Sequence, residues 1–357
     1  MCEFPEHPLS QTQIDFLTEI PKCEHHLHIE GTLEPKLLFQ LAKKNNITLP
    51  ESFPSTHEEL AESYNHFSNL QDFLDVYYIG CNVLITEDDF YLLALEYLTK
   101  VSKQGLKHTE IFFDPQSHTS RNLSIDLVFN GIQRACDEIY NKFGITTKII
   151  MCLLRHLSVE DCSATVNQAS HLIKNGKIHG IGLDSSEKPF PPELFEAVYK
   201  QAKNLNPNLR LTAHAGEEGD ASYITNALDV LKVERIDHGV RSIEDPKVIE
   251  RLANENIMLS VCPLSNVVLR VVKNVSELPI KKFLQANVPF SINSDDPAYF
   301  GGYILDNYLE VQRRFNLTKQ DWKTIATNAI NGSWCDESRK VELLKELDVV
   351  INKYDDF

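Results

Sequence analysis

Residues 23–31 read CEHHLHIEG and concentrate three of the thirteen histidines of the chain into nine positions. The surrounding pattern predicts a first β-strand over residues 22–29. Side chains two apart on a strand point to the same face, so His26 and His28 leave this strand together. His25 points the other way, toward the helices, where we expect a hydrogen-bonded structural histidine. An H-x-H pair alone is a weak sign of a metal site, so its meaning depends on the rest of the fold.

Seven further short apolar runs alternate with helical patterns along the chain. They predict strands over 107–113, 147–154, 178–183, 210–213, 235–237, 257–262 and 288–292. Predicted helices between them include 125–140, 193–205, 223–231, 245–254 and 275–284. Eight such units favour parallel pairing and closure into a (β/α)8 TIM barrel. A doubly wound open sheet is the competing architecture, but no G-x-G-x-x-G follows the first strand.

A barrel of this kind takes ~250 residues, whereas the chain has 357. We therefore expect one (β/α)8 domain over residues 1–357, with a helical insertion at about 35–101. An insertion after the C-terminal end of a strand falls on the active-site face, so part of 52–81 is predicted to act as a lid. The second surplus, residues 302–353, is predicted to form helices outside the barrel.

The composition restricts the class of partner. A net charge of −16 lacks the basic footprint of nucleic-acid-binding proteins, so a small molecule is the expected partner. The amino terminus MCEFPEHPLSQTQ has no secretory pattern, and the longest apolar run, 149–154, is too short for a membrane span. Eight cysteines without a C-x-x-C pair indicate reduced thiols. We expect a cytoplasmic protein, with nuclear entry and the number of subunits left open.

Four predicted strands deliver reactive side chains to one rim, the C-terminal ends where barrel enzymes carry their sites. Besides the first strand, the fifth leads into LTAHAGEEG with His214 and Glu217, and the sixth ends in RIDHG with His238. The eighth leads into SINSDDP with Asp295 and Asp296. Each residue alone has a structural alternative, such as a loop hydrogen bond or a helix cap. Their convergence favours a functional site.

Three imidazoles and one carboxylate form a ligand set that suits Zn²⁺, with Fe²⁺, Co²⁺ and Mn²⁺ as alternatives. We assign the ligands of one Zn²⁺ per subunit as His26, His28, His214 and Asp295. Such an ion lowers the pKa of a coordinated water toward ~7. Glu217 and His238 then remain as catalytic residues for proton transfer. The fourth predicted strand, HGIGLDSS, has no lysine that could bridge a second metal, so a single ion is expected.

The segments PKCEHHLHIEGTLEP, HAGEEG, RIDHG, CPLSN and SINSDDPAYFGGY resemble the adenosine/adenine deaminase family of the amidohydrolase superfamily. They follow the order of the family over nearly the whole chain. Within it, LQDFLDVYYIG, FFDPQSHTSR, MCLLRH and GLDSSEKPFPP are most similar to the fungal adenine deaminases (adenine aminohydrolases). The resemblance implies a zinc-dependent hydrolase of purine salvage that converts adenine to hypoxanthine and ammonia.

The resemblance also implies roles for single residues. Glu217 is expected to be protonated and to donate to N1 of the purine, while His238 takes or orients the proton of the attacking water. Asp296 is expected to contact N7. Adenosine deaminases typically carry Asp where this chain carries Glu30, whose carboxylate reaches ~1.3 Å further. Glu30 is therefore predicted to occupy ribose volume and bind the imidazole edge of a free base, with a surface charge as the alternative. The family glycine near Glu187 is missing, which leaves the contact to N3 open.

Two alternative functions are open at this level. The same chemistry could act on adenosine or on N6-substituted adenines. A protein of another class, a non-catalytic purine-binding protein, could use the same scaffold. The presence of every expected site group favours an enzyme.

Overall fold

The computed structural model describes residues 6–357, and within them eight parallel strands follow one another in sequence order around one sheet. The strands are β1 (Lys22–His28), β2 (Leu106–Phe113), β3 (Thr146–Leu154), β4 (Gly180–Asp184), β5 (Arg210–Ala215), β6 (Arg235–His238), β7 (Met258–Val261) and β8 (Phe290–Ile292). Each predicted strand is present, with ends that differ by one or two residues. The prediction of a (β/α)8 barrel is confirmed.

The barrel closes between β8 and β1 through the segment that follows β8. The amide of Asp295 donates to the carbonyl of His26 at 3.1 Å, and the amide of His28 donates to the carbonyl of Asp295 at 3.0 Å. These bonds pair Asp295 with Leu27 in a parallel bridge. Closure of the barrel therefore places Asp295 beside the two histidines at the end of β1.

Helices surround the strands and account for most of the remaining chain. Those in residues 6–357 are α1 (Gln11–Glu19), α2 (Pro35–Lys44), α3 (His57–Ser63), α4 (Leu70–Cys81), α5 (Glu87–Val101), α6 (Pro115–Thr119), α7 (Ile125–Phe143), α8 (Val159–Gln168), α9 (Ser170–Lys174), α10 (Glu196–Leu205), α11 (Ala221–Asn226), α12 (Pro246–Asn254), α13 (Pro263–Val268), α14 (Ile280–Ala286), α15 (Ile304–Phe315), α16 (Lys319–Gly332) and α17 (Glu337–Lys353). The last three form the predicted carboxy-terminal helices.

Helix α7 illustrates how the sequence specifies these elements. It begins after Ser124, whose hydroxyl accepts a hydrogen bond from the amide of Leu127 at 3.2 Å. It ends at Gly144, which adopts the left-handed conformation that glycine tolerates best. Its buried apolar residues recur every three or four positions, so one face of the helix packs against the barrel.

Two predicted helices are interrupted in the structure. The segment 223–231 is divided between α11 and a π-helical turn. The prediction of one helix over 275–284 is wrong, because a short 3₁₀ turn precedes Pro279 and α14 begins after it. A proline inside a helix removes an amide donor and clashes with the preceding turn.

The predicted insertion lies between β1 and β2 and contains α2 to α5. It packs on the loop after β8: Phe73 lies 4.8 Å from Phe300, and Tyr64 stacks on Tyr299 at 4.7 Å, measured between ring centroids. These aromatic contacts place α4 over the mouth of the barrel. The movement of this segment as a lid stays a prediction.

The opposite end of the barrel is held by buried polar contacts. Arg235 of β6 pairs with Glu110 of β2, and its guanidinium lies 4.1 Å from the ring centroid of Trp334. His25 points away from the rim, as predicted, and its Nε2 lies 2.8 Å from the carbonyl oxygen of Ala329. Burial lowers the pKa of His25 to about 3, so this imidazole is neutral at pH 7. These residues serve the stability of the barrel.

Two further predictions concern membrane-spanning segments and the state of the cysteines. Within residues 6–357, every helix is too short or too polar to cross a lipid bilayer. The cysteines in that range are buried free thiols. Burial raises the pKa of the Cys152 thiol well above its usual value, which keeps the thiol protonated at neutral pH.

Candidate active site

The C-terminal ends of β1, β5 and β8 bring four predicted metal ligands into one buried cluster. Their ligand atoms all lie within 4.8 Å of one another. His26 Nε2 is 3.1 Å and His28 Nε2 is 3.5 Å from Asp295 Oδ1. The Nε2 atoms of His28 and His214 are 3.2 Å apart. Residues that are far apart in the sequence thus face a single point.

Two residues of the site have a backbone conformation that is unusual for their type. His238 and Asp295 have φ values of 64° and 66°. The left-handed region costs such residues on the order of 1 kcal/mol, and it recurs at functional sites. In both cases the chain turns sharply where a strand ends, and the side chain lines the central cavity. His238 and Asp295 therefore combine a strained backbone conformation with a side chain that lines the cavity.

The donor set fits a divalent cation. The buried His26 Nε2 has no hydrogen-bond partner among residues 6–357. Burial lowers the pKa of His28 to about 4 and that of His214 well below its usual value, so both imidazoles are neutral at pH 7. Ligand atoms ~2.0–2.1 Å from one ion lie roughly 3.0–3.4 Å from each other, close to the separations seen here. Neutral nitrogen atoms and a carboxylate at these distances are suited to share one ion.

Each histidine of the cluster also faces a polar partner with its Nδ1 atom. The pairs are His26 with Ser260 Oγ at 3.0 Å, His28 with Asp184 Oδ2 at 3.5 Å and His214 with Asp237 Oδ2 at 3.6 Å. Partners of this kind fix the ring orientation and turn Nε2 toward the ion. The sequence motifs did not predict a function for these three partners, although each of them is one of the last two residues of its strand.

Glu217 and His238 form the proton-transfer part of the site. Glu217 Oε2 lies 3.4 Å from His238 Nε2, and the amide nitrogen of Asn266 reaches both side chains at 3.4 and 3.3 Å. Burial, followed by repulsion from Asp295, raises the pKa of Glu217 well above its usual value, which favours the protonated form of this carboxyl. Burial lowers the pKa of His238 to about 3, which keeps this imidazole neutral. Asn266, in the CPLSN segment, had no predicted role.

A second buried glutamate holds the loop that carries Glu217. The Glu187 carboxylate accepts hydrogen bonds from the amides of Gly216, Glu217 and Gly219 at 3.2, 3.0 and 2.7 Å. A Cβ atom at Gly219 would lie 2.5 Å from Glu187 Oε2, so this close approach requires glycine. Glu187 therefore anchors the loop that carries Glu217.

Asp296 packs directly against the backbone of Gly31. A Cβ atom at Gly31 would lie 2.0 Å from Asp296 Oδ1 and 2.7 Å from its Cα atom. Burial, followed by repulsion from Asp295, raises the pKa of Asp296 well above its usual value. The raised pKa favours the protonated form of the Asp296 carboxyl, which can donate a hydrogen bond to a ligand.

We expect Gly31→Ala to lower kcat/KM by on the order of a hundredfold, because the new methyl group must displace Asp296 and a 1 Å misplacement can cost this much. Steady-state kinetics and metal analysis of the same sample test this expectation. Gly144→Ala is the matched control, since no atom lies within 4 Å of its Cβ position and only its positive φ opposes the change. Unchanged kinetics in Gly31→Ala would show that Asp296 needs no fixed position.

The cavity in front of the cluster has both polar and apolar lining residues. The residues of the metal and proton-transfer groups that line it are His28, His214, Glu217, His238, Asp295 and Asp296. Further lining residues are Tyr77, Tyr78, Asp114, Leu154, Asp184 and Ser185. The cover consists of Leu70, Phe73, Leu74 and Leu269. The inserted α4 thus supplies part of the cavity surface.

Glu30 is not among the residues that line this cavity, and its predicted contact with the substrate stays a prediction. Its carboxylate is fully buried, so the alternative of a surface charge is excluded. Glu30 Oε1 lies 2.8 Å from His118 Nε2 and accepts the amide of Asp114 at 3.1 Å. The extra methylene turns the carboxylate into the wall, where it supports the cavity residue Asp114.

Comparison with known proteins assigns the chain to a family. The model of the family described as adenosine deaminase matches residues 21–350, which include all eight strands and every predicted site residue. The chain belongs to the adenosine deaminase family. For a member of this family, the buried cluster of three histidines and one aspartate indicates a divalent metal.

Relatives within the adenosine deaminase family match the chain over nearly its full length. A protein from Kluyveromyces lactis named adenine deaminase is 62% identical over 95% of this chain and 96% of its own length. One of the same name from Saccharomyces cerevisiae is 59% identical over 96% and 99%. The crystal structure of adenine deaminase from Arthrobacter aurescens matches with a TM-score of 0.88 at 44% identity, covering 93% of this chain and 99% of that chain.

Proposed function

We propose that this protein is a zinc-dependent adenine deaminase, which hydrolyses adenine to hypoxanthine and ammonia with one Zn²⁺ per subunit. The relatives that share the name adenine deaminase support the substrate, and the ligand set of three imidazoles and one carboxylate supports zinc. The observation that carries the proposal is the juxtaposition of this ligand set with a protonated glutamate and a neutral imidazole in one buried cavity.

Each group of the site then has a chemical task. His26, His28, His214 and Asp295 would hold the ion, which would supply the Lewis acidity needed to activate water near neutral pH. Glu217 donates its proton to N1 of the purine, which makes C6 more electrophilic. His238 accepts or orients the proton of the attacking water, and Asp296 donates to N7. One water is consumed: its oxygen remains on C6, one of its hydrogens completes the ammonia formed from the amino group, and the other replaces the proton that Glu217 gives to N1.

We expect kcat/KM for adenine to exceed kcat/KM for adenosine by about ten- to a hundredfold. The reason is that adenosine would leave a buried polar group of the protein without a hydrogen-bond partner, which costs ~1–3 kcal/mol. Steady-state kinetics with adenine, adenosine and N6-methyladenine on one metal-analysed sample measure this ratio. A kcat/KM for adenosine equal to that for adenine would contradict the proposal and favour an adenosine deaminase. Binding of all three purines without turnover would favour a non-catalytic purine-binding protein.

The remaining expectations also stand as proposals. We propose that the reaction serves purine salvage in the cytoplasm, and that nuclear copies, where present, carry out the same reaction. The chain is proposed to act as one (β/α)8 domain, with residues 52–81 as a lid. Imaging of the tagged full-length chain together with growth on adenine as the purine source tests the cellular part.

A further inference from the structure

One buried aspartate connects the Nδ1 sides of two histidines in the cation cluster. Asp237 is the third residue of β6, and the strand register places it beside His214 of β5 and Ser260 of β7. Residues in register on neighbouring parallel strands point to the same face of the sheet, so these three side chains enter the barrel interior together. Asp237 and Ser260 are fully buried. Their polar atoms must therefore find partners within the protein.

The contact with His26 runs through the hydroxyl of Ser260. Ser260 Oγ donates to Asp237 Oδ1 at 3.0 Å, and the same oxygen lies 3.0 Å from His26 Nδ1. A hydroxyl carries one hydrogen, and Asp237 accepts it, so Ser260 Oγ accepts the hydrogen of His26 Nδ1. The lone pair of His26 then lies on Nε2, the atom that is 3.1 Å from Asp295 Oδ1. This arrangement turns the free nitrogen of His26 toward the cluster.

The contact with His214 is direct. Asp237 Oδ2 lies 3.6 Å from His214 Nδ1, which is buried without a hydrogen-bond partner among residues 6–357. This separation is ~0.6 Å longer than an ordinary hydrogen bond. Nε2 of the same ring lies 3.2 Å from His28 Nε2 in the cluster. Hydrogen bonds in active sites often tighten only when a ligand binds, and a small shift of the ring would give His214 Nδ1 its acceptor.

The carboxylate of Asp237 is itself held by other buried groups. Thr212 donates its hydroxyl to Asp237 Oδ2 at 2.7 Å, and Arg235 Nε lies 3.5 Å from Asp237 Oδ1. Arg235 also pairs with Glu110 of β2. The hydroxyl donors and the nearby positive charge leave the carboxylate little freedom to rotate. Asp237 is therefore rigid enough to hold its neighbours in one orientation.

We infer that Asp237 is a positioning residue that orients two of the imidazole ligands, His26 and His214, toward the same cation. The inference rests on the proposed function for the presence of that cation, and it adds a residue outside the four predicted ligands. Partners of metal-binding histidines typically contribute about ten- to a hundredfold in metal affinity. Because one carboxylate serves two rings, its loss should disturb both. Loss of the Ser260 hydroxyl should disturb His26 alone.

Two competing roles of Asp237 lead to different results. As a partner of Arg235 alone, Asp237 would stabilise the barrel, and its replacement would lower the melting temperature at unchanged metal affinity. As a support for the neighbouring His238, it would change the rate of the reaction, again at unchanged metal affinity. The orientation of two ligands predicts a weaker affinity for the metal, which neither competing role does.

The test measures the Kd for Zn²⁺ by competition with a chromophoric chelator, together with the melting temperatures of the zinc-free and zinc-loaded protein. Asp237→Asn nearly keeps the shape but replaces one acceptor oxygen by a donor. It is expected to raise the Kd by about ten- to a hundredfold. The difference between the two melting temperatures should shrink accordingly, because stabilisation by a ligand depends on its affinity.

Asp89→Asn is the matched control. Asp89 is also a fully buried aspartate, but it accepts the amides of Ile85 and Thr86 at the start of α5. Its replacement should lower both melting temperatures by a similar amount and leave the Kd for Zn²⁺ unchanged. A purely structural role of Asp237 would give the same pattern.

A second variant isolates the path through the serine. Ser260→Ala removes only the partner of His26 and is expected to raise the Kd about tenfold. In the double variant Ser260→Ala/Asp237→Asn, the rise in Kd should be smaller than the product of the two single effects, because the serine acts through Asp237.

Three results would overturn the inference. The first is an unchanged Kd in folded Asp237→Asn. The second is an unchanged Kd in Ser260→Ala, which keeps the test decisive where Asp237→Asn does not fold. The third is a double variant in which the two effects multiply, since this would show independent partners. Absence of Zn²⁺ binding by the unmodified protein defeats the proposed function and this inference together, whereas binding that the variants leave unchanged defeats only this inference.

Discussion

Replacing Glu217 by glutamine is expected to lower kcat for adenine by on the order of 10³-fold while the metal stays bound. The amide has nearly the same shape as the carboxyl but cannot transfer a proton to N1. Burial and the nearby Asp295 raise the pKa of Glu217 well above its usual value, which favours the acid form in the unmodified protein. Steady-state kinetics and metal analysis on one preparation measure both parts of the expectation.

The adjacent residue provides a control of the same chemistry. Glu218 accepts the amide of Glu187 at 2.9 Å through one oxygen, a bond that glutamine preserves. Glu218→Gln is therefore expected to retain activity within about threefold, a change below ~1 kcal/mol. Loss of stoichiometric metal in Glu217→Gln would show that Glu217 is a ligand, and retention of full turnover would remove it from the proton-transfer step.

Removal of the metal is expected to abolish deamination, and Zn²⁺ is expected to restore it. The same treatment should lower thermal stability, because a ligand at ~1,000 times its Kd stabilises the native state by about 4 kcal/mol. Without the ion, His26 Nε2 remains buried without a hydrogen-bond partner among residues 6–357. Dialysis against a chelator, followed by activity, metal content and melting temperature, tests this expectation.

His214→Ala should reproduce the loss of metal and activity in a protein that still folds, since His214 lies at the end of β5 and the barrel strands pair without it. His171→Gln is the control, because His171 is a half-exposed histidine paired with Asp126 on the outside of the barrel. Full activity after exhaustive chelation would contradict the metal site. Stoichiometric metal in His214→Ala would contradict its ligand set.

The fold follows largely from local patterns. The strand β3 reads as a run of apolar residues and is buried in its last six positions, and the caps of α7 stand in the sequence at Ser124 and Gly144. Apolar runs and helix caps are recognisable within a few residues of sequence. Once they predict eight strands that alternate with helices, only a few architectures are compatible with the chain. The break before α14 shows the limit of this approach, because apolar spacing continued across Pro279 where the backbone could not.

The candidate site follows from the sequence only in part. Side-chain alternation on β1 and the positions of His214, His238 and Asp295 at strand ends predicted which groups meet at the rim. Asp114, Asp184 and Asp237 also lie at or next to the last residues of their strands, but aspartate at this place is common in turns and gave no distinct signal. For Glu30 the sequence predicted a substrate contact but not the buried contact with His118, because that partner was not visible in the local pattern.

The sequence by itself determined the order of strands and helices, the family and the set of residues at the rim, since these depend on short-range periodicity and on motif spacing. Only the tertiary structure decided what each buried carboxyl faces. Glu30 meets His118, which is 88 positions away, and this contact turns it from the cavity toward Asp114. A buried charge must find a partner wherever the fold places one, and that partner is set by packing in three dimensions.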